Sequence, residues 1–522
     1  MKKLSLKIRG AVQGVGFRPF VYRIACRFGL VGWVSNSADG VRIEVEGPEK
    51  VLADFRIAVE NENPPVSIIQ HIEEEYSSPE GFADFRIRES SGGKKETLVL
   101  PDLATCGKCM EEVLDPGNRR YRYPFTNCTE CGPRYSIIRS IPYDRPATTM
   151  SSFRMCKECR EEYENPSHRR FHAQPNACPR CGPHLEIWDG KGEILATGDD
   201  ALRRTAEEIL SGGILAVKGL GGFHLMALAE DEGAVLQLRK RKGRMNKPFA
   251  LMFPSMDSIE KVCRVSSAEK SVLSSHRSPV VLLSKLEAEE AEGVVSSQVA
   301  PGNPELGVML PYTPLHHLLM MEIGKPVIAT SGNVTDEPIC IDEGEALGRL
   351  GGLADLFLVH NRPIARHVDD SVVRIFRGQE MVIRRARGYA PLPVGRVSSL
   401  KTILAAGPHL KNTVALSVKG NVFVSQHIGD LETPLALDAF DEVRESMAEM
   451  YGSSPDLVAC DMHPDYASTT RAREYGLGTF KVQHHRAHVY SCMLDSGAAP
   501  PLLGLSWDGT GYGTDGTVWG GE

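Results

Sequence analysis

Apolar residues alternate from the start of the chain. Leu4, Leu6 and Ile8 fall on every second position and predict a strand. The chain then turns through Gly10–Gly16, and the period becomes helical over Arg18–Phe28. Phe20, Ile24 and Phe28 share one face there, Pro19 sits in the first turn and Gly29 stops the helix. Alternation resumes in Val31–Ser35 and again at Val41, Ile43 and Val45, on either side of a turn at Ala38-Asp39-Gly40. Pro48–Glu60 predicts a second helix, and Val66–Glu75 and Phe85–Arg88 two more strands. The order βαββαβ is that of a split-βαβ, ferredoxin-like α+β unit over residues 1–90, followed by a linker at Ser90–Lys95.

Farther along, helical stretches alternate with short apolar strands such as Ile214–Val217, Phe249–Met252 and Val327–Ala329, which predicts an α/β domain over 200–388. Pro391–Ser399 reads as a second linker. Thr402–Ala406, Thr413–Val418 and Val422–Ser425 read as the hairpin strands that open an actin-like (ASKHA-type) ATPase fold over 400–522. Such folds have two lobes, and only the first is expected here. One more strand is expected at Leu502–Trp507, before a glycine-rich turn.

At 522 residues the chain is too long for a single core, so several domains are expected, in a multidomain α+β and α/β protein. No run of about 18 apolar residues spans a bilayer, and the basic start Met1-Lys2-Lys3 leads into a strand, not a secretory apolar segment. The cytoplasm is the expected compartment. A formal charge of −7 argues against polyanion binding by the whole chain and leaves room for a local basic patch.

Cysteine changes this picture. Of 13 cysteines, eight form four Cys-x-x-Cys pairs. A shift of 50 positions carries Cys106, Cys109, Cys128 and Cys131 onto Cys156, Cys159, Cys178 and Cys181. The same shift carries Arg119-Arg120-Tyr121 onto Arg169-Arg170-Phe171. Two copies of Cys-x₂-Cys-x₁₈-Cys-x₂-Cys over 104–184 predict two structural zinc knuckles, because four thiolates leave zinc no open position. The four arginines keep an RNA-binding role open, though they also suit thiolate charge. His168 and His172 read as bystanders, and Cys26, Cys263, Cys340, Cys460 and Cys492 as core residues.

The turn Gln13-Gly14-Val15-Gly16-Phe17-Arg18 lies between a strand and a helix start, where converging N–H groups, the helix dipole and a guanidinium favour an anion. With Asn36 at the end of the next strand, this segment resembles the acylphosphatases. The resemblance implies that Arg18 holds the phosphoryl group and that Asn36 orients the attacking water.

Four stretches in 212–388 resemble the YrdC-like family. They are Lys242-Gly243-Arg244 with Lys247-Pro248-Phe249, Leu310–Leu315, Thr330-Ser331-Gly332-Asn333, and Arg384–Gly388. The resemblance implies a site for ATP and carbamate built from Lys242, Arg244, Lys247, Thr330, Ser331, Asn333, Arg385 and Arg387. Cations there offset repulsion between two anions while pyrophosphate leaves. Lys218–Leu225 resembles the hydrogenase-maturation branch of that family, and His367, Asp369 and Asp370 fit the same branch.

His484 and His488 stand four apart, a metal-ligand spacing if helical, ahead of Asp508-Gly509-Thr510-Gly511. The arrangement resembles the transferase domain shared with the tRNA threonylcarbamoyltransferases. That implies a divalent metal, iron or zinc, at His484 and His488, and a nucleotide at Asp508, Gly509 and Gly511. Gly407–Asn412 resembles the first phosphate hairpin.

Taken in order, these modules resemble the hydrogenase-maturation carbamoyltransferases of the HypF family. The resemblance implies hydrolysis of carbamoyl phosphate, activation of carbamate by ATP with Mg²⁺ to carbamoyl-adenylate, and transfer to the C-terminal cysteine of HypE. The rival readings are a threonylcarbamoyl-adenylate synthase acting toward tRNA and a zinc-dependent RNA-binding protein.

Overall fold

The computed structural model describes residues 1–37, 40–64, 66–88, 98–141, 143–286, 293–399 and 401–522. The turn residues Ala38 and Asp39 and the expected linker Ser90–Lys95 lie outside the described residues. The chain forms two compact units, 1–332 with 339–388, and 333–338 with 389–522.

In the first unit, strands β1 (Lys2–Ala11), β2 (Val31–Ser37), β3 (Gly40–Gly47), β4 (Ile68–Ser77) and β5 (Phe85–Ile87) form a sheet in the order β4-β1-β3-β2-β5. Helices Phe17–Arg27 and Glu49–Asn61 complete the expected ferredoxin-like layer pair. Leu4, Leu6, Ile8, Val41, Ile43 and Val45 are all buried, as their alternation requires. The first turn, β1 to helix, therefore lies at one end of the sheet beside the end of β2.

Each Cys-x-x-Cys that opens a knuckle leads into a short helix, Gly107–Leu114 in the first and Lys157–Glu164 in the second. The chain then enters an eleven-stranded sheet. Its strands are β6 (Leu185–Trp188), β7 (Ile194–Thr197), β8 (Leu215–Lys218), β9 (Phe223–Leu228), β10 (Ala250–Met252), β11 (Val280–Ser284), β12 (Glu305–Met309), β13 (Val327–Ser331), β14 (Leu356–His360), β15 (Val372–Phe376) and β16 (Gln379–Arg384). The order is β16-β15-β11-β12-β10-β13-β9-β8-β14-β6-β7, with parallel and antiparallel neighbours mixed. The hairpin β6–β7, directly after the second knuckle, pairs with β14 and fastens the knuckles to this sheet.

The second unit holds a six-stranded sheet of β17 (Pro393–Arg396), β18 (Ile403–Ala405), β19 (Ala415–Val418), β20 (Asn421–Val424), β21 (Leu457–Asp461) and β22 (Gly478–Val482), in the order β17-β20-β19-β18-β21-β22. The segment expected to be a linker, 391–399, contains β17, which pairs with β20. Its prolines sit at an edge, where a missing N–H breaks no ladder. The strand expected at Leu502–Trp507 does not form. Leu503 and Trp507 are 88% and 90% exposed, and among the described residues no strand pairs with them. Apolar alternation without a ladder partner leaves open chain. Among the described residues no helix is long and apolar enough to cross a membrane.

Candidate functional site

Gly14 and Gly16 adopt φ of 75° and 72°, so the turn after β1 takes left-handed backbone at two places that favour glycine. Gln13 Nε2 donates to the carbonyls of Ser37 (2.8 Å) and Gly40 (3.0 Å), tying this turn to the β2–β3 end. Helix Phe17–Arg27 begins without a side-chain cap, leaving its first N–H groups for a ligand. Arg18 is 7% exposed and burial lowers its pKa, yet among the described residues no carboxylate lies within ion-pair distance of it. Asn36 is buried at 3% exposure, and its Oδ1 has no hydrogen-bond partner. A buried guanidinium with no counter-ion among the described residues, beside an unpartnered amide oxygen, suits an anion with an attacking water.

The knuckle region covers this cavity. Thr129, Tyr143, Phe171, His172 and Gln174 line it together with Gln13, Arg18 and Asn36. Arg134 Nε donates to the Gly14 carbonyl (3.0 Å), and a Cβ on Gly16 would stand 2.8 Å from Thr129 Oγ1. His172, expected to be a bystander, lies at this cavity, with its Nδ1 3.5 Å from Arg18 Nη2. Burial, and then the charge of Arg18, push its pKa down to about 4, so the imidazole is neutral at neutral pH. The one signal for this in the sequence is a break in the duplication, where His172 replaces the arginine at Arg122.

The two thiolate clusters are closed. Neighbouring sulfurs lie 3.5 to 3.8 Å apart in Cys106, Cys109, Cys128 and Cys131. In Cys156, Cys159, Cys178 and Cys181 the spacing is 3.7 Å. A tetrahedron of four sulfurs at about 2.3 Å from zinc has edges of roughly 3.8 Å, so both sets fit that ion. The knuckles also serve each other. Arg119 and Arg120 pair with Glu162 of the second copy, and Arg169 and Arg170 with Glu112 of the first. Arg119 donates to Cys159 Sγ (3.4 Å) and Arg169 to Cys109 Sγ (2.8 Å). Burial opposes the Glu162 charge, but Arg120 and Arg119 hold its carboxyl down at about 2. Arg120 and Arg170, at 2% and 1% exposure, are inside this lattice and do not reach a nucleic-acid backbone.

In the eleven-stranded sheet, Lys242 ends helix Glu232–Lys242 and donates from Nζ to the Ser331 carbonyl (2.6 Å) at the end of β13. Burial and the nearby Arg244 push its pKa down to about 7. Burial also lowers Arg244, as does Arg384, which in turn pairs with Asp369 at 2.8 Å. The structure thus gathers Lys242, Arg244, Arg384 and Asp369, with Lys242 reaching Ser331, the neighbour of Thr330 on β13.

Of the other expected residues, Lys247 is exposed and Arg385 half-buried. Asn333 donates its amide to the Glu337 carbonyl at 2.7 Å. Arg387 does not join the cluster as a free cation. It is 1% exposed, bonds Asp370 (2.8 Å) and the carbonyls of Arg277 and Ser278, and stacks on Tyr312. His224 bonds the other oxygen of Asp370 at 2.9 Å. His367 is buried nearby in sequence.

In the second unit, helix His484–Ser496 places His484 and His488 on one face, their rings 4.9 Å apart. Asp508 Oδ2 lies 3.0 Å from His484 Nε2 and 3.3 Å from His488 Nε2. Asp508, expected to meet nucleotide, is therefore gathered with the histidine pair as a third candidate ligand. Asp461 at 2.6 Å from His484 Nδ1 orients that ring, a partner the sequence did not point to. Two imidazoles and one carboxylate suit iron or zinc and leave positions open. Gly511 packs on His485, where a Cβ would stand 2.6 Å from its ring, while Gly509 has open space.

Family models match along this chain: Acylphosphatase over 4–87, HypF finger over 105–138 and 155–188, Telomere recombination (the Sua5, YciO and YrdC group) over 207–386, and HypF Kae1-like domain over 398–495. The carbamoyltransferase HypF of Synechocystis sp. is 49% identical over the whole chain, which covers 68% of that protein. The chain belongs to the HypF family of carbamoyltransferases. A crystal structure of full-length HypF, in a phosphate- and nucleotide-bound form, superposes with a TM-score of 0.94 at 44% identity, over 100% of this chain and 68% of that one. The HypF structure from T. kodakarensis gives 0.91 at 40% identity, over 100% and 67%. The chain thus spans about two thirds of the length of these HypF proteins and contains the acylphosphatase-like, finger, YrdC-like and Kae1-like parts.

Proposed function

We propose that this chain carries out the early steps of carbamoyl transfer in NiFe hydrogenase maturation, in the cytoplasm. Its working domains are 1–90, 104–184, 200–388 and 400–522. At the first, water held by Asn36 attacks the phosphorus of carbamoyl phosphate, whose charge Arg18 and the Gln13–Phe17 loop offset. The P–O bond to the carbamoyl group breaks, giving carbamate and phosphate. At the second site a carbamate oxygen attacks the α-phosphorus of ATP, brought with Mg²⁺, and pyrophosphate leaves. Lys242, Arg244 and Arg384 offset that charge, and Thr330, Ser331, Lys247 and Arg385 complete the set that holds the two anions.

In full-length HypF proteins, the thiolate of the HypE C-terminal cysteine then attacks the carbamoyl carbon and AMP leaves. The resulting thiocarboxamide is the precursor of a cyanide ligand. His484, His488 and Asp508 would hold a divalent metal that supplies Lewis acidity for that domain.

The observation that carries this reading is Arg18, buried with no carboxylate partner among the described residues, beside the unpartnered Asn36 Oδ1. A full-length relative that binds phosphate and nucleotide supports it. The test is phosphate release from carbamoyl phosphate alone, without ATP. Release in the wild-type chain and its loss in Asn36→Ala supports the reading. A folded chain with both knuckles metallated and no release refutes it.

A further inference from the structure

We propose that His172 is a positioning residue of the acyl-phosphate site, lent by the second knuckle to aim the Arg18 guanidinium at the phosphate loop. This rests on the reading of Arg18 and Asn36 given above. The geometry carries it. Arg18 Nη2 faces His172 Nδ1 at 3.5 Å, and both residues line the cavity that Gln13 and Asn36 also line. Among the described residues this is the side-chain hydrogen-bond partner of Arg18, and no carboxylate takes that place.

The difference is chemical. A carboxylate would fix the guanidinium but neutralise it and compete with the phosphoryl group. A neutral imidazole accepts one N–H and leaves the positive charge for the substrate. With Nδ1 as acceptor, the ring proton lies on Nε2.

The ring is held for this task. It stacks on Tyr163 (4.9 Å, 26°) and leans on Phe171 (4.3 Å), and Tyr163 is itself fixed by a hydrogen bond to Gln174 Oε1 (2.8 Å). The backbone at His172 is left-handed, φ 53°, and Arg122, its counterpart in the first knuckle, has the same φ. That turn therefore belongs to the knuckle architecture, and the two copies differ in what the side chain does. Arg122 pairs with Asp199 and Glu322, both at 2.6 Å, and secures the first knuckle to helices Gly198–Leu210 and Pro314–Ile323. His172 reaches the phosphate loop instead. The titratable groups around the pair are Asp144 and Tyr163, and burial keeps the imidazole neutral near pH 7.

His172→Asn and His172→Asp have one shape and both tolerate left-handed backbone, so they differ only in charge. The readouts are binding of inorganic phosphate, and KM and kcat for carbamoyl phosphate, in the full chain with zinc content recorded. His172→Asn is expected to keep phosphate affinity and KM within about threefold, and His172→Asp to weaken both by roughly tenfold or more with a smaller change in kcat. Equal effects of the two substitutions, whether large or absent, overturn the proposal. A wild-type chain that binds phosphate without hydrolysing carbamoyl phosphate refutes the hydrolytic reading and leaves the Asn–Asp comparison of phosphate binding to decide this one. A wild-type chain that binds no phosphate overturns both.

Discussion

Arg169, in the second knuckle, donates from Nη2 to Cys109 Sγ in the first, at 2.8 Å. The first knuckle returns the contact through Arg119 and Cys159. Each zinc site therefore draws part of its charge balance from the other copy. Arg170→Ala leaves the mostly buried Glu112 with one arginine fewer and is expected to cost about 2–4 kcal/mol. Zinc release into a chromophoric chelator during urea titration measures it. Both ions should leave at lower urea and together, and a shift confined to one ion contradicts the mutual arrangement.

The cover over the phosphate loop needs a bare backbone at Gly16. A Cβ there meets Thr129 Oγ1 at 2.8 Å, and the φ of 72° is strained for any L side chain. Gly16→Ala is expected to destabilise the first unit by about 1–2 kcal/mol and to raise KM for carbamoyl phosphate. Thermal unfolding and steady-state kinetics check it, and a wild-type KM would show that the close approach is dispensable.

Lys242 gives a pH signature. Its pKa falls from the ordinary lysine value to about 7 because burial and Arg244 disfavour the charge. Folded protein then binds fewer protons than unfolded chain between about pH 7 and pH 10.4, so this group's contribution makes stability rise with pH across that window. Below about pH 7 the cost of burying the charged amine is felt in full. ATP adds negative charge and restores the proton, so ATP binding near pH 8 should take up protons. Calorimetry in buffers of different ionisation enthalpy measures the uptake. Lys242→Arg, charged throughout, should abolish it, and persistent uptake would assign the proton elsewhere.

Much of this was legible in the sequence. The alternation of Leu4, Leu6 and Ile8 and the period of Phe20 and Ile24 fixed the first module, because burial on one face dictates spacing. The duplicated cysteines carried their own geometry. What could not be read were partners distant in sequence. Asp508 joins His484 and His488 as a third ligand, Asp461 orients His484, and His172 joins Arg18 across 154 positions. Arg387 matches a motif yet is buried against Asp370 and two carbonyls, since a guanidinium's type is visible in sequence and its burial is not. The edge strand Pro393–Arg396 was masked by its prolines, and Leu502–Trp507 has the strand pattern without a ladder.

Asp508 separates two assignments. With His484 and His488 it offers a third ligand, so protein purified without chelator should hold one divalent ion beyond the two knuckle zincs, counted by elemental analysis. Asp508→Asn is expected to lose that ion and keep the two zincs. Retention of all the metal would return Asp508 to a nucleotide role.

Coupling between the two chemical steps is tested most directly by pyrophosphate release from ATP with carbamoyl phosphate as the only carbamoyl source. Wild-type chain should release pyrophosphate only when both are present. Arg18→Ala should abolish that release while leaving the Lys242 site intact, as judged by unchanged ATP binding. Undiminished pyrophosphate release in Arg18→Ala would contradict the account.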